Sequence, residues 1–200
     1  MAYGASEKLI LSENTRWSYV SIWEPKSING EEPKFSITLI IKKGSPDMEV
    51  IGNTIKEVYR NNSSILTGTD GTLPPLNTLK TPVRDGDVDK ADDPDFAGCY
   101  YINAYSKFKP GIVDEDLNTI TDRNQVYSGC YGRASISFYA YNNGESCGIG
   151  CSLNHLQKVR DGEKMGSTAV SSAAEEFKAF AKTPSKSTNV SISADDTLPF

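Results

Sequence analysis

The chain has one histidine, His155, in 200 residues, and four cysteines, Cys99, Cys130, Cys147 and Cys151, with no Cys-x-x-Cys pair among them. A single imidazole with no acid or nucleophile placed beside it by spacing gives a catalytic triad little support. A Gly-x-Ser-x-Gly elbow and a phosphate-cradling P-loop are both missing. No run reaches the roughly 18 apolar residues of a membrane-spanning helix. Met1 to Leu11 lacks the cationic region and apolar stretch of a secretory signal, so a cytosolic chain is expected, and with it free thiols. A zinc site from Cys130, Cys147, Cys151 and His155 would need the strand to bend at Gly148 and Gly150. If it stays extended, Cys147 and Cys151 lie about 13 Å apart, too far for one tetrahedral ion. Small buried thiols are the plainer reading, and neither a metal nor a cofactor is implied.

Basic charge is also short, with 21 Lys and Arg against 26 Asp and Glu. That balance argues at first against a polyanionic partner. The acids are clustered, however: six lie between Asp85 and Asp95, three at 114–116, and two at Asp195 and Asp196. Outside those segments bases outnumber acids, so a locally basic surface is available. Asp85, Asp87 and Asp89 imitate the first ligands of a calcium loop, but Lys90 stands where glycine is needed and Phe96 where the closing glutamate belongs. A solvated acidic loop is the expectation, with weak cation binding or magnesium-assisted nuclease chemistry as lesser alternatives.

The segment from Gln125 to Gly162 is the most informative part. Read with a period of two, Ala134, Ile136, Phe138 and Ala140 share one face, and Arg133, Ser135, Ser137, Tyr139 and Tyr141 the other. The second face carries two large rings and a guanidinium where an ordinary wet strand would carry Thr, Lys and Glu. Cys99 to Lys109 repeats the pattern, setting Tyr100, Ile102, Ala104 and Phe108 against Tyr101, Asn103, Tyr105, Lys107 and Lys109. Seven of the ten tyrosines fall between Tyr100 and Tyr141. Rings beside cations suit a single-stranded nucleic acid, because bases stack on rings and phosphates pair with amines, at about 1–3 kcal/mol per stacked base. Aromatic residues also favour strands for packing, and an outward aromatic patch equally fits a subunit or partner interface.

Elsewhere, Trp17, Tyr19, Ser21 and Trp23 alternate with Ser18, Val20 and Ile22. Asn29 and Gly30 turn the chain into a strand whose core face is Phe35, Ile37, Leu39 and Ile41, with Ile40 and Lys42 pointing away. Pro46 to Asn62 reads as an amphipathic helix with Met48, Ile51, Ile55, Val58 and Tyr59 on one stripe and Lys56 and Arg60 at its solvated edge. Asn61 to Lys80 is expected to be a long loop, Thr81 to Arg84 a short strand, and Pro110 to Asn124 an irregular connection. Asn143 and Gly144 lead into a last strand within 146–159. The fold class is mainly β, an OB-type barrel with long loops and one or two helices; periodicity alone leaves a sandwich open. Gly162 to Ala173 reads as a linker, and Ser172 and Glu175 have capping-box spacing before a short helix with Phe177 and Phe180. The expected division is a domain over 1–182 and a disordered tail over 183–200.

Three phrases carry a resemblance: Val126 to Arg133 with Ser135 to Asn142 and Gly148 to Gly162, then Phe35 to Lys42, then Arg84 to Asp87 with Tyr101 to Ala104. Together they resemble a family of tailed-bacteriophage single-stranded-DNA-binding proteins, in order from about Phe35 to Gly162. The resemblance implies an OB fold that binds single-stranded DNA with little sequence preference during phage replication, recombination or repair, in the bacterial host cytoplasm. It implies no enzyme and no membrane. It supports Arg84, Lys109, Arg133 and Lys158 as cations of the family pattern. The reading of the faces nominates Tyr101, Tyr105, Lys107, Lys109, Arg133, Tyr139 and Tyr141, and Arg160 joins them as a further phosphate ligand. Trp17 and Trp23 are candidates for stacking or for the core. Asp195, Asp196 and Phe200 match an acidic tail ending in Phe, which implies docking on phage or host replication proteins. The competing reading is a structural or interaction module of a phage that buries its aromatic face against a subunit.

Overall fold

Alternating apolar residues build strands here and a single 3.6-period stripe builds the one long helix. The computed structural model describes residues 2–27, 30, 32–68 and 71–166. Within them lie β1 (Ala2–Ile10), β2 (Arg16–Lys26), β3 (Lys34–Lys42), β4 (Val83–Asp85), β5 (Cys99–Ser106), β6 (Gly111–Val113), β7 (Tyr131–Asn142) and β8 (Cys147–Arg160). The helices are α1 (Pro46–Asn61) and two single turns, α2 (Ser63–Leu66) and α3 (Gly86–Asp89). One unit spans Met1–Gly166 and a second Ser167–Phe200, and the second lies outside the described residues. The expected boundary at 182, the helix carrying Phe177 and Phe180, and the tail residues Asp195, Asp196 and Phe200 all fall there.

The pairings run β2 to β3, β3 to β5, β5 to β8, β8 to β7 and β7 back to β2, a five-strand circuit. Two joints of the circuit are thin. β2 meets β7 only through Arg16 and Tyr131, and the parallel joint of β5 with β8 rests on Tyr105 and Ser152. The architecture is mainly β, the class expected from the pattern. β1 is added outside β7, and β6 outside β8.

Inside the circuit Ile37, Leu39, Ile41, Ile102, Ala104, Ile136 and Phe138 are almost fully buried, each large side chain stabilising the fold by about 1.5–3 kcal/mol. Helix α1 lays Ile51, Ile55 and Val58 against this core, with Met48 and Tyr59 partly buried at its margin. It starts where Ser45 accepts the Asp47 amide and Pro46 occupies the first turn. Asn62 then ties its end to β1, its side chain donating to the Val58 carbonyl at 2.9 Å and the Ala5 carbonyl at 3.1 Å.

Several expectations change: the expected loop 61–80 carries α2, the expected irregular connection 110–124 carries β6, and Tyr101, expected on the outward face, is 6% exposed. The strict alternation of Trp17, Tyr19, Ser21 and Trp23 breaks at an irregularity between Ser18 and Ser21, with Tyr19 at φ 46°. The extra residue turns Tyr19 outward while Trp17 stays fully buried. Ile40, expected to face away from the core, is buried in a small second cluster with Phe96, Cys99 and Tyr101, because the 86–98 segment folds back over that face. Phe108, expected on the core face, is 82% exposed, since β5 ends at Ser106. β1 was not legible at all: its residues are mostly exposed and it is held by its ladder to β7.

Candidate nucleic-acid interface

The outer face of the circuit carries two clefts that meet at Tyr105. The first, about 250 Å³, lies over β3 and β5, where register sets Ser36 opposite Tyr105, Thr38 opposite Asn103 and Ile40 opposite Tyr101. Because side chains alternate, Ser36, Thr38, Asn103, Tyr101 and Tyr105 all project to this side. Tyr19 lines one side of it, and the fully buried Phe96 packs against both Tyr19 and Tyr101. The rings of Tyr19 and Phe96 have centroids 6.4 Å apart, and Tyr101 meets Phe96 edge-on at 5.3 Å. The Lys90 ammonium stands over both Tyr19 (5.1 Å) and Phe96 (5.7 Å) and donates to the Tyr19 hydroxyl at 3.4 Å. A tyrosine at positive φ is uncommon and costs backbone energy, and such outliers collect at functional sites.

The second cleft, about 810 Å³, lies across the joint between β5 and β8 and runs on to β7 and β1. Tyr105, Lys107 and Phe108 form one bank, Ser137 and Tyr139 the other, with Ser152 and Asn154 between and Tyr3, Glu32 and Lys34 at the rim. Tyr139 and Tyr3 pack edge-to-face at 5.6 Å. Gly150 pairs with Tyr139 across the ladder, and a methyl group there would lie 2.6 Å from the Tyr139 ring. The glycines considered as bends for a zinc site thus clear space for rings in an extended strand. Burial, above all, pushes the Tyr139 hydroxyl pKa up, so it stays a neutral phenol. Lys107 pairs with Glu32 at 2.6 Å at the open rim; the pairing raises the lysine pKa and lowers the glutamate's.

Of the residues nominated from sequence, Tyr101, Tyr105, Lys107 and Tyr139 line these clefts. Tyr141 neighbours them, one step along β7 with its hydroxyl over Gly148. Others stand apart. Arg84 donates to Asp89 at 2.6 Å, and Asp89 also accepts the Tyr101 hydroxyl at 3.2 Å, so Arg84 braces the first cleft from behind. The Lys109 ammonium lies over the Trp23 ring at 5.4 Å. Arg133 is paired with Glu13 and donates to Gln157. Lys158 pairs with Asp161 at 2.7 Å, and the Arg160 guanidinium lies 3.8 Å over Tyr131. Sequence reasoning missed Tyr3, Tyr19, Phe96, Phe108, Lys34 and Lys90; Tyr19 needed the bulge, and Phe96 and Lys90 were read only as parts of a failed calcium loop.

That acidic segment has a structural task. Asp85 and Asp87 both hold Lys43, at 2.6 and 2.7 Å, and Asp87 accepts the Gly98 amide at 2.7 Å. These contacts lower the Asp87 pKa, through Lys43 first and Gly98 next. Of the groups considered for zinc, Cys130 and Cys151 are buried, and burial raises both thiol pKa values. His155 accepts the Gly111 amide on Nδ1 at 3.2 Å. Among the described residues no group of three or more His, Cys, Asp or Glu is placed to hold a metal, and no helix is long and apolar enough to cross a membrane.

Rings lining an open groove, with amines on its rim and hydroxyls and amides on its floor, define the class of nucleic-acid-binding modules. The chain belongs to the family of the single-stranded-DNA-binding protein of Enterobacter phage Enc34, whose family model matches residues 7–188. It is 30% identical over 178 residues to protein p50 of Acyrthosiphon pisum secondary endosymbiont phage 1, covering 82% of this chain and 89% of that one. The bacteriophage Enc34 protein in complex with single-stranded DNA superposes with a TM-score of 0.67 at 26% identity, over 80% of this chain and 89% of that chain. The single-stranded-DNA-binding protein gp2.5 of bacteriophage T7 shares the fold, with a TM-score of 0.60 at 13% identity over 92% of this chain and all of that one.

Proposed function

We propose that the protein binds single-stranded DNA through the continuous outer groove that Tyr105 joins, as an OB-type module serving phage DNA replication, recombination or repair in the host cytoplasm. One observation carries this reading: Tyr105 lines both clefts, so rings from Tyr19 to Tyr139 follow one path. Bases stack along that path while Lys107 and Lys34 meet phosphates from its edges. Family membership supports the same ligand, and the site works by binding, not by bond-breaking. Arg84, Arg133, Lys109, Lys158 and Arg160 act on affinity at longer range or through the side chains they brace.

The test is fluorescence anisotropy of a labelled dT oligonucleotide at several salt concentrations, beside a matched duplex. Affinity for the single strand should fall by about 0.7 log unit per log of salt for each phosphate neutralised. Salt-insensitive binding, or none at low salt, overturns the reading and turns the groove into a protein interface. The same titration on a chain ending before Asp195 tests the tail: tighter DNA binding supports a tail that competes for the groove, and unchanged affinity makes it passive.

A further inference from the structure

The two clefts differ in a way that uniform stacking does not require. The larger is an open trough, whereas the smaller, about 250 Å³, falls below the roughly 300–1,000 Å³ of pockets for drug-sized ligands and has room for one base. Its walls are rings, but its floor is polar and specific. The Thr38 hydroxyl donates to Asn103 Oδ1 at 2.7 Å, which fixes the amide so that its Nδ2 points its two hydrogens elsewhere. Among the described residues nothing accepts from Asn103 Nδ2, and the Ser36 hydroxyl beside it has no partner either. Lys90 stands at the lip with an ammonium whose contacts are two ring faces and one weak hydroxyl bond. Two donor-only groups, Asn103 Nδ2 and the Lys90 ammonium, therefore face a space of single-base size, beside a Ser36 hydroxyl that can donate.

We propose that this cleft is a base-reading pocket, in which Asn103 Nδ2, Ser36 and Lys90 donate to the carbonyl edge of one pyrimidine held against the exposed Tyr19 ring. Thymine offers two carbonyl acceptors, O2 and O4, and no exocyclic amine. Cytosine offers O2 and N3 but carries an N4 amino donor, and adenine has no carbonyl and an N6 amino donor, so the donors here favour thymine most and adenine least. A donor left facing a donor loses its hydrogen bond and its hydration together. The bulged, positive-φ conformation of Tyr19 belongs to this pocket, because it swings the ring from the Trp17 side of β2 to the outer face. The protein thus adds a modest pyrimidine preference at one position to the sequence-tolerant stacking of the trough. The inference rests on the proposed single-stranded-DNA reading.

The experiment compares the affinity of the native chain and of Asn103→Ala for dT, dC and dA oligonucleotides of one length at one salt concentration. Self-stacking of dA strands weakens binding to both proteins alike, so it cancels in the comparison of ratios. The dT to dA affinity ratio is expected to shrink about threefold to tenfold in Asn103→Ala, the size of one hydrogen bond, with the dC to dA ratio shrinking less. An equal loss for all three oligonucleotides, or an unchanged ratio, overturns the pocket while leaving the groove intact. Should Asn103→Ala melt early through loss of the Thr38 bond, Ser36→Ala reads the same ratio with the same expected direction. Failure of the native chain to bind any of the strands would instead overturn the reading on which the pocket rests.

Discussion

Cations meet tyrosines in two regions of this molecule, and the two are built differently. At one end of β7 and β8 the Arg160 guanidinium lies flat on Tyr131, 3.8 Å from its centre, with Arg16 at 5.9 Å. Nearby, Lys158 and Lys164 flank Tyr127, whose hydroxyl pKa is pushed up to about 12, by burial first and by its bond to Asp161 next. There the ring faces are covered and carboxylates already answer the charges: Asp161 takes Lys158 and Asp95 takes Arg16. In the larger cleft, Tyr105 is 39% exposed, among the described residues no cation stands over it, and the Lys107 amine stands on the rim. The same residue types act as mortar in one place and as a receptor in the other. What separates them is whether the ring faces are already occupied.

The sharpest way to break this comparison is to truncate one tyrosine in each region. Tyr105→Ala should weaken single-stranded DNA binding about tenfold to a hundredfold, as loss of a stacked base of about 1–3 kcal/mol requires, with little change in melting temperature. Tyr131→Ala should do the reverse, lowering the melting temperature and leaving affinity within about threefold, since its loss is one of packing and cation contact. Equal effects of the two on DNA binding would erase the distinction. A smaller effect, about tenfold on affinity, is expected for Gly150→Ala, whose new methyl must push the Tyr139 ring off β8; retained affinity would show that this ring does not stack on DNA. The smallest concerns charge. Glu32→Gln frees Lys107 from an exposed pair worth about 0–1 kcal/mol, so binding at low salt should tighten up to about fivefold and converge with the native chain at high salt. Weaker binding would mean that Glu32 positions Lys107 rather than competing for it.

Most of the sheet could be read directly. Alternation in 133–141 predicted which residues are buried, and in 35–41 it predicted the core face, because a strand with one face on a core must place its apolar residues every second position. The Pro46 helix was legible for the parallel reason at a period of 3.6. Legibility stopped wherever a contact came from far along the chain. Ile40 looked outward until the 86–98 segment covered it, and Tyr19 looked like a neighbour of Trp17 until the irregularity in β2 reversed it.

By itself, then, the amino-acid order determined the mainly β class, the core faces, the long helix and the concentration of rings and amines on outward positions, all of which follow from local periodicity. Only tertiary structure decided which rings stay open. Tyr105 and Tyr139 face a shared trough, while Tyr131 and Tyr127 sit under cations, and Tyr101 is nearly buried between Phe96 and Asp89. The reason is physical: the exposure of a ring depends on what packs over it, and those partners, from Lys90 to Arg160, are brought by register and chain crossing that no local pattern encodes.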